Sequence, residues 1–189
     1  MEFEVIQGDI AVQSADALVN AAGTNLRMGS GVAGALRRGA GEEINRAAME
    51  NGPVDLGSAA VTDAYDLEAD YVVHAAAMPH YGDGKATAAS VRDATRNALE
   101  RADELGCRSI VIPALGCGVA GFDLEAGAEI IGEEIGRYEP NSLEDVRFIA
   151  YSDEEYETIS TAVRGATGSA DTAESVSATE SEETTGSNP

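Results

Sequence analysis

Residues 109–123 read SIVIPALGCGVAGFD, and this stretch decides the fold. It opens with Ser109–Pro113, a continuous apolar run of the kind found in parallel strands that are buried on both faces. Residues 116–121 (GCGVAG) then form a glycine-rich segment, and Asp123 follows as a candidate N-cap for a helix. A buried strand, a glycine loop and a capped helix in direct succession predict one βα unit of an α/β protein.

Short β-branched runs and longer helical patterns alternate along the rest of the chain. Residues 87–105 give the clearest helix, and residues 3–7 (FEVIQ) are typical of an edge strand. The other predicted strands are 17–20, 59–62, 71–74 and 146–151, and the other predicted helices are 32–40, 42–51, 124–138 and 153–164. This alternation predicts a three-layer α/β/α sandwich with a mostly parallel, mixed sheet between the helices. Ligands bind such sheets at the carboxyl ends of the strands.

The composition changes sharply after Arg164. Residues 165–189 contain five acids but no base, no aromatic residue and no Leu or Ile. Such a segment buries too little apolar surface to offset the entropy lost on ordering. We therefore predict a folded domain over residues 1–164, followed by an acidic, Ser/Thr-rich disordered tail over residues 165–189.

The charge of the chain excludes several classes of partner. The 189 residues include 34 acids and 12 bases, for a net charge of −22, and Lys85 is the single lysine. A protein that binds nucleic acid without sequence preference needs a basic face, and so does one that binds anionic membranes. Many acids with almost no lysine favour a halophilic source, because concentrated salt screens the repulsion between carboxylates. The alternative is an unusually acidic protein of an ordinary cytosol.

Cysteine and histidine usage indicates neither a disulfide framework nor a metal site. Cys107 and Cys117 are too far apart in sequence for a CxxC pair, and the histidines are limited to His74 and His80. His74 is more typical of a core histidine than of a ligand. The chain shows no signal-peptide pattern and no apolar run of transmembrane length. We expect a cytoplasmic monomer that uses no cofactor.

Two glycine-rich loops follow strands of the predicted sheet. Residues 29–34 read GSGVAG and residues 116–121 read GCGVAG, so both fit GxGxxG. Glycine lets successive backbone amides point into one concavity, where they can hold an anion. Two such loops at one sheet edge could clamp the two phosphates of a diphosphate; the alternative is a pair of tight connections.

Neither loop fits the common nucleotide motifs. A P-loop requires Gly-Lys followed by Ser or Thr, but Lys85 is followed by Ala86. A dinucleotide-binding fold places its glycines directly after the first strand. Here the first loop begins nine residues after Asn20 and the second lies late in the chain, which disfavours an enzyme of hydride transfer. A cysteine phosphatase would need an arginine after five intervening residues, where this chain has Asp123.

Five segments, in order, resemble the macrodomain family. They are residues 8–10 (GDI), 19–22 (VNAA), 29–34 (GSGVAG), 72–74 (VVH) and 109–123. The resemblance extends over residues 3–164 and implies an α/β/α sandwich that binds ADP-ribose, either free or attached to protein. Several members of the family also hydrolyse the bond between ADP-ribose and a side chain or a 1″-phosphate (Appr-1″-p processing), so the resemblance is also compatible with hydrolase activity.

The resemblance also implies roles for individual residues. Asp9 would accept a hydrogen bond from the adenine amino group, beside the Ile10 N–H, and Tyr151 would stack on the adenine. The alternatives are a turn-capping role for Asp9 and a place at the rim of the core for Tyr151. The first loop would line the diphosphate and the distal ribose, and the second would close over the diphosphate. The implied loop residues are Gly29, Ser30, Gly31, Val32 and Ala33, then Gly116, Cys117, Gly118, Val119, Ala120 and Gly121.

Three positions depart from the family pattern. The NAAN motif ends in Gly23, the acid that some hydrolytic members carry after the first loop is Ala33, and Ala120 replaces an aromatic residue of the second loop. Phe122 could partly substitute for that aromatic residue. Asn20 and Asn25 are the remaining catalytic candidates.

These departures predict a protein that binds ADP-ribose and hydrolyses ADP-ribosyl linkages slowly at best. A water held by the substrate's own diphosphate would then be the nucleophile. An efficient ADP-ribosyl-protein hydrolase or ADP-ribose 1″-phosphatase remains an alternative. So does a protein that binds another adenine diphosphate, such as O-acetyl-ADP-ribose.

Two further features near the loops have open interpretations. Arg27, Arg37 and Arg38 flank the first loop, where they could attract an anionic ligand or pair with neighbouring carboxylates. Cys117 lies among loop amides, a setting that can favour a thiolate, but its place in a glycine loop is more typical of a small structural residue.

Overall fold

Six strands form one sheet in the computed structural model, which describes residues 1–80 and 83–174. The strands are β1 (Glu2–Gln7), β2 (Ala17–Gly23), β3 (Ala59–Asp63), β4 (Tyr71–Met78), β5 (Ser109–Pro113) and β6 (Asp145–Ala150). The helices are α1 (Gly31–Ala40), α2 (Glu43–Glu50), α3 (Ala88–Glu104), α4 (Leu124–Arg137) and α5 (Asp153–Glu174). A single 3-10 turn, Ile10–Val12, follows β1.

The sheet has the order β1-β6-β5-β2-β4-β3. β3 pairs antiparallel with β4 at one edge, and the other neighbouring strands are parallel. The predicted mostly parallel, mixed sheet is thus confirmed. β2 and β4 extend beyond the predicted residues 20 and 74, because pairs such as Ala21 with Ala75 continue the ladder. Alanine is not typical of strands, so the sequence pattern stopped short of these pairs.

Side chains of the sheet alternate between two separate apolar cores. Val19 and Ile112 belong to the core that α3, α4 and α5 cover, whereas Leu18 and Val111 belong to the core beneath α1 and α2. All four side chains are fully buried. Burial on both faces explains the continuous apolar sequence of β5 and confirms the three-layer arrangement.

Helix α5 extends beyond the predicted end of the domain at residue 164 and continues to Glu174. Residues 175–189 lie outside the described residues, so the disordered tail predicted for 165–189 stays a prediction. None of the helices within 1–80 and 83–174 combines the length and apolar character that crossing a bilayer requires.

A buried carboxylate holds the segment between α4 and β6. Asp103, near the end of α3, is 8 % exposed, and its oxygens accept backbone N–H groups from Asn141, Ser142 and Leu143 at 2.8, 2.7 and 3.0 Å. The Tyr138 hydroxyl also donates to it. Burial by itself raises the pKa of this carboxyl, but the hydrogen bonds outweigh burial and hold the pKa well below its usual value. The ionised carboxylate therefore fixes the chain that leads into β6.

We expect Asp103→Asn to lower the free energy of unfolding by about 3 kcal/mol, because the new amide N–H₂ would face backbone donors. Urea denaturation measures this difference. Glu100→Gln, which also removes one carboxylate from α3 but at an exposed position, should shift stability by less than about 0.5 kcal/mol. Equal stability of the two variants would show that the carboxylate does not hold this segment.

Candidate ligand-binding cleft

A cleft of about 470 Å³ opens at the carboxyl ends of the parallel strands. Its volume suits a small-molecule ligand. Each of the five mutually parallel strands contributes residues at or just beyond its end: Gly8, Asp9 and Ile10 after β1, Ala21 and Ala22 from β2, Met78 from β4, Pro113 and Ala114 at the end of β5, and Ile149 and Tyr151 at the end of β6. The cleft therefore lies at the edge of the sheet that the strand pattern predicts.

The first glycine loop leads into the N-terminus of α1. Ser30, Gly31 and Val32 line the cleft. Ser30 is the N-cap of α1, but its side chain makes no capping hydrogen bond to the described residues. Gly31 has φ +61°, a conformation that favours glycine. The N-terminus of α1 thus borders the cleft, and there the helix dipole favours an anion.

The second glycine loop also lines the cleft, with residues 116–120. Gly116 has φ +75°, and a Cβ there would lie 2.7 Å from the Cβ of Ala86, so only glycine fits. Within the described part of the chain, no backbone carbonyl accepts from the N–H groups of Gly118, Val119 or Ala120. These residues line the same cleft as Ser30, Gly31 and Val32, so two sets of backbone N–H groups border it.

Asp9 caps the 3-10 turn and also lines the cleft. Its Oδ1 accepts from the Ala11 N–H at 2.9 Å, which is the capping role that the sequence left open. A carboxylate has a second oxygen, so capping leaves an acceptor for a ligand. Ile10, which is 5 % exposed, lies beside it.

Tyr151 stands at the rim of the cleft with 76 % of its surface exposed. Its backbone N–H donates to Glu155 Oε2 at 2.8 Å, and the Glu155 N–H donates to Ser152 Oγ at 3.2 Å. Glu155 also lines the cleft, and sequence reasoning missed it. The Ser-x-x-Glu pattern at 152–155 is a capping-box signal that could have drawn attention to it.

Of the predicted site residues, all of which the structure describes, seven do not line the cleft. They are Asn20, Gly23, Asn25, Gly29, Ala33, Gly121 and Phe122. Ala33 faces the core under α1, whereas Phe122 packs against the opposite core. Gly29 and Gly121 flank the two lining loops.

Asn20 lies in a buried polar network rather than in the cleft. It is 1 % exposed, and its Nδ2 lies 3.0 Å from Nδ1 of His74. His74 Nε2 lies 2.9 Å from Thr62 Oγ1. Burial lowers the pKa of His74 to about 4, so the ring is neutral at physiological pH. The network joins β2, β4 and β3 and gives Asn20 a structural position.

Asn25 and Gly23 meet the loop that follows β4. Asn25 Nδ2 lies 2.7 Å from Nδ1 of His80, and Asn25 Oδ1 accepts from the Arg27 N–H at 3.2 Å. A Cβ on Gly23 would lie 3.2 Å from the carbonyl oxygen of Pro79. The Asn25 amide is thus engaged on both sides, and glycine lets the two loops approach closely.

Cys117 lines the cleft, but its thiol is protonated. Burial raises its pKa to about 12, and the carboxylates of Asp123 and Glu155 add to the rise. Its Sγ lies 3.4 Å from the Leu115 carbonyl oxygen and fills the space beside Gly127, where a Cβ would lie 2.3 Å away. The thiolate hypothesis is therefore wrong, and Cys117 serves as a small structural residue.

Arg37 and Arg38, which flank the first loop, have different surroundings: one pairs with a carboxylate and the other lines the cleft. Arg37 pairs with Glu42 and donates to the Met28 carbonyl at 3.0 Å. Arg38 lines the cleft instead.

No group of three His, Cys, Asp or Glu side chains within the described ranges is placed to hold a metal ion.

The family model described as Macro domain matches residues 19–131, which is more than half of the chain. An uncharacterized protein of Mycobacterium tuberculosis is 40 % identical over 164 residues, which are 87 % of this chain and 45 % of that protein. This chain thus spans about half the length of the first curated relatives that it matches.

Solved macrodomain structures share the fold. The Trypanosoma brucei macrodomain in complex with ADP-ribose superposes with a TM-score of 0.75 at 28 % identity, covering 85 % of this chain and 68 % of that one. An Oceanobacillus iheyensis macrodomain mutant with ADPR superposes with a TM-score of 0.80 at 23 % identity, covering 88 % and 94 %.

Burial of His74 makes stability depend on pH. Its folded-state pKa of about 4 lies below the ordinary value of 6.5, so the unfolded chain takes up the proton first as the pH falls. The part of the free energy of unfolding that depends on neutral His74 is fully present above pH 6.5 and is lost as the pH falls toward 4. Between pH 8 and pH 5 we expect this histidine to account for a loss of about 2 kcal/mol in the free energy of unfolding.

Urea denaturation across this pH range measures the loss. His74→Gln should flatten the pH dependence, whereas His80→Gln, at the exposed histidine, should leave it unchanged. An equal slope in all three proteins would show that His74 is protonated alike in the folded and unfolded chains.

Proposed function

The chain belongs to the macrodomain family, and we propose that its cleft binds ADP-ribose, free or attached to protein. The observation that carries this proposal is that two sets of backbone amides from the two glycine loops border one cleft. The N-terminus of α1 would hold one phosphate of the diphosphate, and the N–H groups of Gly118, Val119 and Ala120 would hold the other. The solved macrodomains with ADP-ribose support the same ligand class.

The adenosine would lie at the β1 and β6 end of the cleft. Asp9 keeps an acceptor oxygen for the adenine amino group while its other oxygen caps the 3-10 turn. The exposed ring of Tyr151 offers a face for stacking, an interaction worth about 1–3 kcal/mol per base. The hydrogen bond from the Tyr151 N–H to Glu155 orders the backbone that carries this ring.

The distal ribose would meet few groups able to catalyse hydrolysis. Gly23 and Ala33 replace the amide and the acid of hydrolytic relatives, and Asn25 is engaged with His80. Attack at the anomeric carbon would use a water held by the substrate's diphosphate and would pass through an oxocarbenium-like state. General acid–base assistance, a factor of about 10²–10⁴, would be missing. We infer a binding protein with slow hydrolysis of ADP-ribosyl linkages.

The alternatives differ in what they require of the cleft. An efficient hydrolase or 1″-phosphatase needs a positioned base, and the carboxylates that line the described cleft, Asp9 and Glu155, lie at its β1 and β6 end. Ala120, in place of a larger side chain, would leave room for O-acetyl-ADP-ribose. A ligand panel and a turnover assay on one sample separate these possibilities.

Calorimetry of the full chain with ADP-ribose, in salt that keeps it folded, tests the proposal. We expect micromolar binding, about −8 kcal/mol, with slow or no release of ADP-ribose from a modified peptide. A Cβ on Gly118 meets no described heavy atom within 4 Å, so Gly118→Glu should fold and place a carboxylate beside the diphosphate. We expect it to weaken binding at least about tenfold more than the uncharged Gly118→Gln does.

Wild-type binding at millimolar strength or weaker would contradict the proposal. Rapid turnover by the wild type would favour the hydrolase alternative.

The adenine assignment has its own test in Asp9→Asn. Asparagine is a good N-cap, so its Oδ1 keeps the bond to the Ala11 N–H, but its N–H₂ would face the adenine amino group. We expect ADP and ADP-ribose to bind about tenfold more weakly, because a donor opposes a donor. Calorimetry measures the change, and an unaltered melting temperature serves as the control. Undiminished affinity would show that adenine lies elsewhere.

A further inference from the structure

Positive charge is scarce in this protein, and most of it is neutralised. Eight arginines have a carboxylate oxygen within 4.0 Å: Arg37, Arg46, Arg92, Arg96, Arg101, Arg108, Arg137 and Arg147. Arg164 donates to the Ser160 carbonyl. No carboxylate oxygen among the described side chains, 1–80 and 83–166, lies within that distance of Arg27, Arg38 or Lys85. A paired cation loses most of its field to its partner, so these three residues keep more of their positive potential than the paired arginines do.

The unpaired cations flank the two glycine loops. Arg38 lines the cleft, and its Nη1 lies 3.3 Å from the position that a Cβ on Gly34 would occupy. The guanidinium is thus folded back by one helical turn, toward the first loop. Arg27 precedes the same loop but does not line the cleft.

Lys85 lies against the second loop from behind. Its Cδ and Nζ lie 3.6 and 3.9 Å from the position that a Cβ on Gly121 would occupy. The N–H of the next residue, Ala86, donates to the Ala120 carbonyl at 3.3 Å and ties this segment to the loop. The one lysine of the chain is therefore held beside the loop whose amides face the cleft.

We propose that Arg38 and Lys85 select anionic ligands for this cleft by drawing them in against the field of the whole protein. The inference rests on the proposed binding of ADP-ribose. A net charge of −22 repels a dianionic diphosphate, but at physiological salt charges beyond about 8 Å are screened. Two unpaired cations within that range of the loops offset this repulsion locally, to which the lining carboxylates Asp9 and Glu155 add. Charges at the rim of a site act mainly on the association rate and its salt dependence.

Stopped-flow association of ADP-ribose and of adenosine tests this selection. The variants are Arg38→Gln, Lys85→Gln and the double variant, and the matched control is Arg101→Gln. Arg101 also carries one positive charge, but it pairs with Glu104 at 2.9 Å on α3. At about 0.1 M salt we expect each single variant to bind ADP-ribose about threefold to fivefold more slowly, and the difference to shrink at about 1 M.

Neutral adenosine should bind all four proteins and the wild type at the same rate. Lys85→Arg and Arg38→Lys keep the charge and should keep the wild-type rate for ADP-ribose. A wild type that binds ADP-ribose, with Gln variants no slower than Arg101→Gln, would overturn this inference and leave the proposed function standing. A wild type that binds adenosine but not ADP-ribose would contradict the proposed function itself.

Discussion

Parallel pairing of β1, β6, β5, β2 and β4 is the constraint on which the cleft depends. Parallel strands bring their carboxyl ends to one edge, so segments far apart in sequence, such as Gly8 and Val119, line one cavity. Helices must cover both faces of such a sheet. The loop that follows each strand therefore passes over the edge before its helix begins. Both glycine loops lie at that point of the path.

Backbone amides suit a protein that is this acidic. Side-chain cations in the chain mostly pair with the surrounding carboxylates, as Arg37 does with Glu42. An amide N–H in a glycine loop carries only a partial charge, so it does not form an ion pair with a neighbouring carboxylate. Its direction is set by the fold. The uncapped N-terminus of α1 and the second loop thus provide donors that the surface charge does not neutralise. Arg38 and Lys85, which have no carboxylate partner among the described residues, lie beside these two loops.

Much of the fold could be predicted from the sequence, because buried strands and capped helices leave local patterns. The run at Ser109–Pro113 and the N-cap at Asp123 are both present in the structure. The site was less predictable, since strand direction and depth decide which side chains reach a cavity. Asn20 belongs to the same motif as Ala21 and Ala22, yet it turns to His74 on the buried face, and only the alanines line the cleft. Glu155 arrives from α5, an element with no family motif.

The position after Ala22 shows how a glycine can be fitted to a neighbouring loop. A Cβ on Gly23 would lie 3.2 Å from the Pro79 carbonyl oxygen, which is closer than an ordinary van der Waals contact. The nearby Asn25 amide contacts His80. Because glycine and the approaching loop are fitted to each other, a side chain restored at position 23 would have to move that loop. The binding half of the cleft keeps its glycines, its capped Asp9 and its exposed Tyr151. The residues at positions 23 and 25 are thus committed to contacts with the loop that follows β4, whereas Asp9 and Tyr151 remain available in the lining of the cleft.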